Sequence, residues 1–447
     1  MDKKPEPVKD RMQDIVSMAK RRGFVFPSSE IYGGLNAVFD YGPLGVELKN
    51  NVKRAWWEAM TRMRDDVVGL DSGILMARRI WQASGHEEVF TDPLVDCRNC
   101  KGRFRADHVI EEFGNLNTCP NCGEHGTLTE PRPFNLMFKT YMGPVEEDAD
   151  LIYLRPETAQ GIYVNFLNTQ TAMRKRLPFG IAQIGKAFRN EISPGNFTYR
   201  MREFEQMEMQ FFIPPEQEEQ WYNYWKAQRR QWYADLGMKA ENLSWHEHGK
   251  DELAHYARAA VDVYYNFPFG AHEMEGIHDR TDWDLRRHTE FSGKDMSYYD
   301  DLEKRRYIPY IIETSVGADR STLAFLCDAY DEEEVNGETR VVLRLSKKLA
   351  PVKIAVMPLS KKEELAGLAH KVHDSVRSLG LTQYDETGGN IGKRYRRQDE
   401  IGTPYCVTVD FDSLEDNAVT IRERDSMTQR RVPIPELRAT LAADLAQ

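Results

Sequence analysis

Residues 187–212, AFRNEISPGNFTYRMREFEQMEMQFF, concentrate side chains that could do chemistry. Arginines, Arg189 and Arg200 among them, alternate with glutamates such as Glu191 and Glu208. A guanidinium can hold a phosphate through two parallel hydrogen bonds, and a nearby carboxylate can accept hydrogen bonds from an amine. These residue types fit a site for a phosphorylated ligand, but a solvated sheet face with cross-strand ion pairs would use the same ones.

A β-hairpin is the element that would position these side chains. Both arms of the stretch alternate, with a turn near Pro194. On the second arm Met207 and Met209 share one face, while Gln206 and Glu208 share the other. The pattern predicts an antiparallel pair with one apolar and one polar face. Such a polar face is also the shape of a pocket floor.

A second candidate lies in IPYIIETSVGADRSTLAFLCDAY, where a predicted strand ending near Glu313 precedes a turn and a helix. Gly317 would allow close backbone approach, and Arg320 would lie near the helix N-terminus, where an anion is already favoured. A strand, a turn and a helix with an arginine are common, so this signal alone is weak.

Four of the six cysteines form two pairs, Cys97-x-x-Cys100 and Cys119-x-x-Cys122, with 18 residues between the pairs. This spacing favours a tetrahedral zinc site made of four thiolates. Four thiolates leave no open position for a substrate, so we expect a structural role. A disulfide is the weaker alternative in a cytosolic protein.

The whole chain has 447 residues, a net charge of −11 and 41% hydrophobic residues, which suggests two to four folded domains. It has no apolar run long enough for a membrane helix, and Met1–Arg22 lacks the apolar core of a signal peptide. We therefore expect a cytoplasmic protein without a membrane partner. The negative charge argues mildly against nucleic acid, although the local basic strips 174–176 and 393–397 could bind phosphate or be solvated faces.

The order of elements predicts two domains, 1–350 and 351–447. We expect helices over 1–22, 46–64, 216–239 and 251–265, and an irregular insertion at 90–145 that carries the cysteines. After Pro351, strand and helix patterns alternate, which is typical of a separate α/β domain.

In this order the motifs resemble those of class II aminoacyl-tRNA synthetases, and in particular the homodimeric glycyl branch. SSEIYGGLNAVFDYGPLGVELKNN (28–51) is similar to the first class motif, at a dimer interface. FRNEISP with YRMREFEQME is similar to the second motif, and ETSVGADR to the third. YLRPETAQGIY (153–163) is similar to a signature of the glycyl branch, and residues after 350 to an anticodon-binding domain. The resemblance covers nearly the whole chain.

The resemblance implies an α+β fold: a catalytic domain built on an antiparallel sheet flanked by helices, with a zinc-knuckle insertion at 90–145 and a helical insertion at about 214–265. A C-terminal α/β anticodon-binding domain follows. It implies glycine, ATP with Mg²⁺, structural Zn²⁺, tRNA(Gly) and a second copy of the chain as substrates, cofactors and partners.

It also implies individual roles. Arg189 and Arg320 would be the catalytic residues, holding the α- and γ-phosphates. Glu191 would meet the adenine amine, Phe204 would stack on adenine, and Glu275 would bind Mg²⁺. The implied ATP-binding set is Arg189, Asn190, Glu191, Tyr199, Arg200, Met201, Arg202, Glu203, Phe204, Glu275, Gly276, Gly317, Ala318, Asp319 and Arg320.

Glu157 and Glu208 would bind the glycine ammonium group. The implied glycine-binding set is Arg105, Glu157, Phe204, Glu205, Gln206, Met207, Glu208, Glu313, Thr314, Ser315, Val316 and Gly317. On residue type alone, Glu203 and Glu205 are ordinary ion-pair partners. The third motif keeps its first glycine and its arginine but has Ala318 and Asp319 where the wider class has its second glycine.

No protein nucleophile is needed, because a carboxylate attacks the α-phosphate in line with pyrophosphate while arginines and Mg²⁺ offset the charge. Two alternatives stay open from the residues. One is a class II enzyme for another small amino acid, and the other is an inactive, synthetase-like accessory protein that binds nucleic acid.

Overall fold

The computed structural model describes residues 11–144, 147, 150–249, 251–253, 257–387 and 389–446. The elements of the first part are α1 (Arg11–Arg21), β1 (Val25–Pro27), β2 (Phe39–Tyr41), α2 (Pro43–Trp57), β3 (Val67–Gly69), β4 (Leu75–Met76), α3 (Arg78–Ala83) and α4 (His86–Val89). The cysteine-bearing segment adds β5 (Thr91–Asp96), β6 (Arg103–Arg105), α5 (Ala106–Phe113), β7 (Arg132–Asn135) and β8 (Lys139–Tyr141).

The central part contains β9 (Leu151–Leu154), α6 (Ala159–Val164), α7 (Phe166–Met173), β10 (Phe179–Phe188), β11 (Glu203–Ile213), α8 (Glu218–Asp235), β12 (Leu243–Glu247), β13 (Ala259–Phe267), β14 (Gly270–Thr281), α9 (Trp283–Ser292), β15 (Tyr298–Asp300), β16 (Arg305–Tyr307), β17 (Tyr310–Gly317), α10 (Ala318–Ala329), β18 (Tyr330–Val335) and β19 (Glu338–Leu343).

The C-terminal part contains β20 (Ile354–Pro358), α11 (Glu363–Val376), β21 (Thr382–Tyr384), α12 (Ile391–Glu400), β22 (Tyr405–Val409), α13 (Ser413–Asp416), β23 (Ala418–Glu423), β24 (Gln429–Pro433) and α14 (Ile434–Ala446).

A seven-stranded sheet forms the centre of the molecule, in the order β12-β13-β14-β17-β11-β10-β3. Its neighbours are antiparallel except β10 and β3, which are parallel. Met207, Met209 and Phe211 of β11 join the large core that includes residues of α2, α8 and α10. Ile181 and Phe212 join a smaller core with residues of α6 and α9. The α+β fold built on an antiparallel sheet with flanking helices is confirmed.

Helix α2 begins at Pro43, whose fixed φ suits the first helical turn. Gly45 lies so close to the first strand region that an added Cβ would stand 1.7 Å from the Phe24 carbonyl oxygen. Glycine is therefore required for α2 to pack at this depth, with Val52 and Trp56 fully buried.

One predicted helix is wrong. Residues 251–265 do not form a second helix, because Ala259–Phe267 is strand β13, paired with β12 and β14. Its run of β-branched and aromatic residues fits a strand, and pairing in the central sheet decides between the two structures. The predicted helical insertion at about 214–265 thus contains one long helix, α8, and two strands of the main sheet; residues 254–256 lie outside the described part.

The segment predicted as irregular contains a small sheet in the order β6-β5-β7, with α5 beside it. The C-terminal part has a five-stranded sheet in the order β21-β20-β22-β23-β24. Strands β21, β20 and β22 are parallel and the last two are antiparallel, as the strand–helix alternation predicted for an α/β domain. The boundary at 350/351 stays a prediction. Within the described ranges, no helix combines the length and the apolarity needed to cross a bilayer; cytoplasmic location stays a prediction.

Candidate active site

A cavity of about 220 Å³ opens on the polar face of the central sheet, between β11, β14, β17 and the loop after β10. The predicted hairpin forms its floor, since β10 and β11 pair with Gln183 opposite Glu208. The alternation along β11 is as predicted: Phe204, Gln206 and Glu208 line the cavity while Met207 and Met209 enter the core.

Glu208 lies at the buried end of this cavity, with 2% of its surface exposed. Its carboxyl group accepts hydrogen bonds from Ser315 Oγ at 2.7 Å, Thr158 Oγ1 at 2.8 Å and Gln206 Nε2 at 3.0 Å. Burial, followed by the charges of Glu313 and Glu157, raises the pKa of Glu208 to about 8 despite these bonds. The group is therefore poised to lose a proton when a cation arrives.

Glu313 stands beside it on β17 and is also buried. It accepts hydrogen bonds from His278 Nδ1 at 2.8 Å, Gln210 Nε2 at 2.8 Å and Arg280 at 3.1 Å. Burial alone would raise the pKa of Glu313, but Arg280 and His278 outweigh it and lower this pKa to about 2. In turn, Asp262 and Glu313 raise the pKa of His278 to about 9 against the effect of burial.

Glu157 is the third carboxylate at this end. Gln160 Nε2 donates to it at 2.9 Å, and His86 Nε2 lies 3.3 Å away. Burial opposes ionisation of Glu157, but His86 and Arg280 outweigh it and lower its pKa. Two ionised carboxylates and one with a raised pKa therefore share one end of the cavity.

Arginines line the other end. Arg189 lies between the rings of Phe90 and Phe204, with centroids 5.3 and 5.4 Å from its guanidinium carbon, and its Nε donates to the Pro156 carbonyl at 3.0 Å. Among the described residues, no carboxylate lies within ion-pair distance of Arg189. Arg320 lies over the Tyr199 ring at 4.5 Å. The geometry thus leaves cationic hydrogen-bond donors directed at the cavity.

Strand β14 contains Glu275, whose predicted role as a Mg²⁺ ligand does not fit its position. Glu275 is fully buried and bound by Arg229 and Tyr233 of α8, on the side of the sheet away from the cavity. The pairing of β13 with β14 shifts between Val263, opposite Glu275, and Tyr264, opposite Glu273. The extra residue of β14 reverses which side chains face the cavity before this point. Glu273 lines the cavity instead, 3.4 Å from Arg320. The assignment of Glu275 as a Mg²⁺ ligand is therefore wrong on geometry.

Most of the predicted residues do meet in this cavity. Those that line it are Glu157, Arg189, Glu191, Tyr199, Arg200, Met201, Phe204, Glu205, Gln206, Glu208, Gly276, Glu313, Ser315, Gly317, Asp319 and Arg320. Those that do not line it are Arg105, Asn190, Arg202, Glu203, Met207, Glu275, Thr314, Val316 and Ala318.

The predicted side chains that do not line the cavity have other partners or point to the opposite face of the sheet. Arg202 donates to the Asn36 carbonyl at 2.9 Å and to the Glu191 carbonyl at 3.1 Å, so it holds the loop wall. Met207, Thr314 and Val316 are buried on the core side of their strands. Arg105 is paired with Asp92 at 3.1 Å and Asp107 at 2.6 Å.

The two glutamates interpreted as ion-pair partners have such partners. Glu203 pairs with Lys186 across the hairpin at 2.6 Å. Glu205 pairs with Lys49 at 2.6 Å and Lys53 at 3.0 Å, and Lys49 also binds Asp319 at 2.7 Å. The second set ties α2 to both β11 and α10 beside the cavity.

Sequence reasoning missed five residues of the lining: Thr198, Glu273, Met274, His278 and Arg280. Gly276, His278 and Arg280 recur at every second position, so a strand prediction over this segment would have placed the last two with Gly276. The position of Glu273 depends on the bulge, for which the sequence carries no signal.

The four predicted zinc ligands come together. Cys97 Sγ and Cys122 Sγ are 3.8 Å apart, Cys100 Sγ and Cys119 Sγ are 3.7 Å apart, and all four lie within 4.8 Å of one another. Zn–S bonds of about 2.3 Å in a tetrahedron place sulfurs about 3.8 Å apart, whereas a disulfide needs about 2.05 Å. The donor set and its spacing fit zinc.

Comparison with known proteins gives two family matches. Residues 138–390 match the tRNA synthetase class II core domain (G, H, P, S and T), and residues 353–444 match the anticodon binding domain. A glycine–tRNA ligase of Treponema denticola is 58% identical over 440 residues, covering 97% of both chains. Those of Thermobifida fusca and Geobacillus kaustophilus are 53% and 55% identical, covering 98% and 97% of this chain and 98% and 99% of their own.

Proposed function

The chain belongs to the class II aminoacyl-tRNA synthetases, among the glycine–tRNA ligases, and we propose that the cavity on its central sheet joins glycine to ATP and then to tRNA(Gly). The α-carboxylate of glycine attacks the α-phosphate of ATP, pyrophosphate leaves, and glycyl-adenylate remains. The 3′-terminal hydroxyl of tRNA then takes the glycyl group and AMP leaves.

The separation of charge along the cavity carries this proposal. Along β17 and into α10, the chain runs from the buried carboxylate of Glu313 to Arg320. Along the neighbouring antiparallel strand β11, followed backwards, it runs from the buried carboxylate of Glu208 to Arg200. A zwitterionic amino acid fits between the two ends, with its ammonium at the carboxylates and its carboxylate towards the arginines. ATP then extends along the arginine end.

For ATP, we assign Arg189 to the α-phosphate and Arg320 to the γ-phosphate, with Arg200 near the latter. Phe204 would stack on the adenine base and Glu191 would accept a hydrogen bond from its amine. Arg189 supplies charge without acting as an acid or base, since a guanidinium stays protonated. In-line attack is helped because charge builds up beside donors that are already oriented.

For glycine, we assign Glu157 and Glu208 to the ammonium, with Glu313 and Ser315 completing that end. Glu208 loses its proton when the ammonium binds, and Ser315 and Thr158 continue to donate to it. The bonds that hold Glu208 leave it little freedom to move aside. A side chain on the substrate would therefore meet fixed protein atoms, which favours glycine over alanine or threonine.

For the metal that accompanies ATP, Glu273 is the residue that fits. Its carboxylate lines the cavity next to Arg320, and carboxylate oxygens are preferred ligands of Mg²⁺. Mg²⁺ offsets phosphate charge when it is bound. Glu275 is excluded from this role by its burial against Arg229.

For the four thiolates, we propose one structural zinc ion held by Cys97, Cys100, Cys119 and Cys122. The measurement is zinc content by mass spectrometry of the native protein, with Cys100→Ser and Cys119→Ser as variants. One zinc per chain is expected, together with a lower melting temperature after chelation. A native mass without zinc in metal-replete protein would contradict the site.

The proposal includes a homodimer. Ile31, Tyr32 and Leu35, within the predicted interface motif, expose 88%, 86% and 57% of their surface. Burying such neighbouring apolar side chains in a subunit interface is energetically favourable. Light scattering should give twice the chain mass, and Ile31→Asp with Tyr32→Asp should shift it towards one chain mass.

The deciding experiment is exchange of labelled pyrophosphate into ATP in the presence of glycine, alanine or threonine. We expect exchange with glycine alone, and a loss of about 100-fold or more in Arg189→Gln. Exchange with alanine or threonine but not glycine would contradict the specificity, and no exchange at all would favour the inactive accessory protein.

A further inference from the structure

A row of charged side chains extends from the carboxylate end of the cavity across strands β17, β14 and β13. His278 of β14 lies opposite Glu313 of β17 and donates to it through Nδ1 at 2.8 Å. The other ring nitrogen, Nε2, lies 3.7 Å from the carboxylate of Asp262 on β13. Asp262 also binds Nε2 of His248, the residue after β12, at 2.8 Å. The reaction proposed above gives no role to the outer half of this row, Asp262 and His248.

The ring of His278 lies directly over the backbone of Gly276, the residue of β14 opposite Asp262. A Cβ added at Gly276 would stand 2.7 Å from Cε1 and 2.8 Å from Nε2 of the ring. Non-bonded carbon atoms pack no closer than about 3.5 Å, so any larger residue would displace the ring. Glycine at this position therefore lets the ring lie between the two carboxylates.

The carboxylates on both sides keep His278 positively charged. An imidazolium ion can donate from both nitrogens at once, whereas a neutral imidazole has one N–H to give. Burial opposes the charge, as does Arg280 on the same strand, but Asp262 and Glu313 outweigh them and raise the pKa of His278 to about 9. Burial also opposes ionisation of Asp262, but His278 and His248 outweigh it and lower the pKa of this carboxyl.

A structural bridge between strands would explain only part of this arrangement. The bond from His248 to Asp262 is enough to tie the end of β12 to β13, and backbone pairing already holds β13 to β14. His246, the residue of β12 opposite Asp262, lies 3.3 Å from Glu252 instead. Buried ion pairs contribute little net stability, so a bridge has no need of an imidazolium on the pocket carboxylate.

Glu313 depends on this imidazolium because its other cationic partner is shared. Arg280 donates to Glu313 at 3.1 Å, but its Nε and Nη2 bind Asp284 at 2.8 and 3.0 Å. The second oxygen of Glu313 accepts from the neutral amide of Gln210. A charge-assisted bond is about twice as strong as a neutral one, so the bond from His278 contributes much of what holds Glu313 in place.

We propose that Asp262 is a positioning residue of the glycine pocket: it keeps the ring of His278 charged and fixed, so that the ring donates to Glu313. Asp262 acts through His278 rather than on the substrate. If Asp262 loses its charge, His278 becomes neutral at a lower pH, and its single N–H is no longer committed to Glu313. The effect on glycine rests on the proposed function, whereas the action of Asp262 on His278 does not.

Two variants and one control test the proposal. Asp262→Asn keeps the size of the side chain and removes its charge. Gly276→Ala displaces the ring without removing any charge, and it keeps the test open if Asp262→Asn does not fold. The matched control is Asp279→Asn, because Asp279 is buried on the same strand as His278 but lies outside the cavity lining, where it accepts from the Thr281 backbone at 3.1 Å.

The first measurement is a pH titration of the full chain, without substrates, by nuclear magnetic resonance of ¹⁵N-labelled histidine rings. His278→Gln identifies the signals of His278. We expect His278 to titrate about one pH unit or more lower in Asp262→Asn and Gly276→Ala than in the wild type, because a nearby carboxylate favours the charged ring. Asp279→Asn should titrate as the wild type does.

The second measurement is the KM for glycine from pyrophosphate exchange between pH 6 and 8.5, with saturating ATP and with glycine concentrations expressed as the ammonium form. In the wild type and in Asp279→Asn, this KM should fall and then level off. In Asp262→Asn it should turn upward within this range, to about tenfold above the wild type at pH 8.5, since a group that titrates one unit lower is about tenfold less charged. The kcat should change by less than about threefold.

A lower titration of His278 together with this upward turn supports the proposal. It is overturned if His278 titrates at the same pH in Asp262→Asn and Gly276→Ala as in the wild type. It is also overturned if the KM for glycine in Asp262→Asn rises by the same factor at every pH, since that pattern belongs to a structural bridge. Absence of glycine-dependent exchange in the wild type itself would instead remove the proposed function, and the resonance titration would still show whether Asp262 controls His278.

Discussion

At the scale of single residues, Glu208 predicts a pH dependence of glycine binding. Its pKa near 8 means that the carboxyl is protonated in the empty pocket at pH 6 to 7. Glycine binds the ionised form with its ammonium, so binding releases a proton. The KM for glycine should therefore fall as the pH rises from 6 towards 8, by up to about tenfold per unit, and level off above it.

Pyrophosphate exchange at each pH, with saturating ATP, measures this dependence. Glu208→Gln should raise the KM for glycine by about 10- to 100-fold and flatten the pH profile. Glu203→Gln is the matched control, since Glu203 lies on the same strand but pairs with Lys186 outside the cavity. A pH profile unchanged in Glu208→Gln would assign the proton to another group.

Glu273 and Glu275, two residues apart, should separate activity from stability. Glu273→Gln should lower kcat by about 10-fold or more and raise the Mg²⁺ concentration needed for half-maximal rate, with the melting temperature unchanged. Glu275→Gln leaves Arg229 buried without its counter-charge, so it should lower the free energy of unfolding by about 3 kcal/mol. Pyrophosphate exchange against Mg²⁺ and urea unfolding measure the two effects, and reversed roles would restore the assignment of Glu275.

These two glutamates also show where sequence reasoning stops at this scale. The shared face of Gln206 and Glu208 could be predicted, because alternation along β11 fixes which side chains lie on the same side of the sheet. The position of Glu273 could not be predicted, because the bulge in β14 switches which side chains face the cavity. A bulge depends on pairing with β13 rather than on local residue type.

At the scale of elements, Lys49 holds helix α2 to the hairpin. It is 6% exposed and pairs with both Glu205 and Asp319, whose charges raise its pKa although burial opposes this. Lys49→Met would leave Asp319 buried without its cation. We expect the free energy of unfolding to fall by about 3 kcal/mol, measured by urea unfolding.

Lys186→Met provides the comparison, because Lys186 pairs with Glu203 on the same strand pair but 43% of its side chain is exposed. An exposed pair contributes less than about 1 kcal/mol. Equal losses in the two variants would mean that α2 is held by its apolar contacts rather than by Lys49.

Elements with one consistent local pattern were predictable from the sequence, and those chosen by long-range pairing were not. The hairpin, α8 and the C-terminal strands follow their periodicity. The sequence pattern predicts a helix over 251–265, but pairing with β12 and β14 on either side makes residues 259–267 a strand. The cysteine spacing likewise predicted the four-thiolate cluster but not the small sheet β6-β5-β7 that carries it.

At the scale of the whole molecule, a buried ion-pair network joins the two parts. Arg340 of β19 is fully buried and donates to Asp399 of α12 at 2.9 Å, and Arg422 of β23 binds the same carboxylate at 2.8 Å. The amino-acid sequence could not reveal this contact, because the partners lie 59 and 23 residues apart and each arginine resembles a surface residue.

Arg340→Met should uncouple the two parts. Asp399 keeps Arg422, so we expect the free energy of unfolding to fall by about 3 kcal/mol, near the low end for a broken buried pair. Arg340 joins the parts through Asp399 and also pairs with Glu333 of its own part. Because the contact between the parts is lost, calorimetry should show their unfolding splitting into two transitions, with glycine-dependent pyrophosphate exchange preserved at 25 °C. Arg344→Gln is the control, since Arg344 is 30% exposed and also reaches across to Asp425; it should cost less than about 1 kcal/mol. An unsplit transition at the original temperature in Arg340→Met would show that apolar contacts, and not this network, make the parts unfold together.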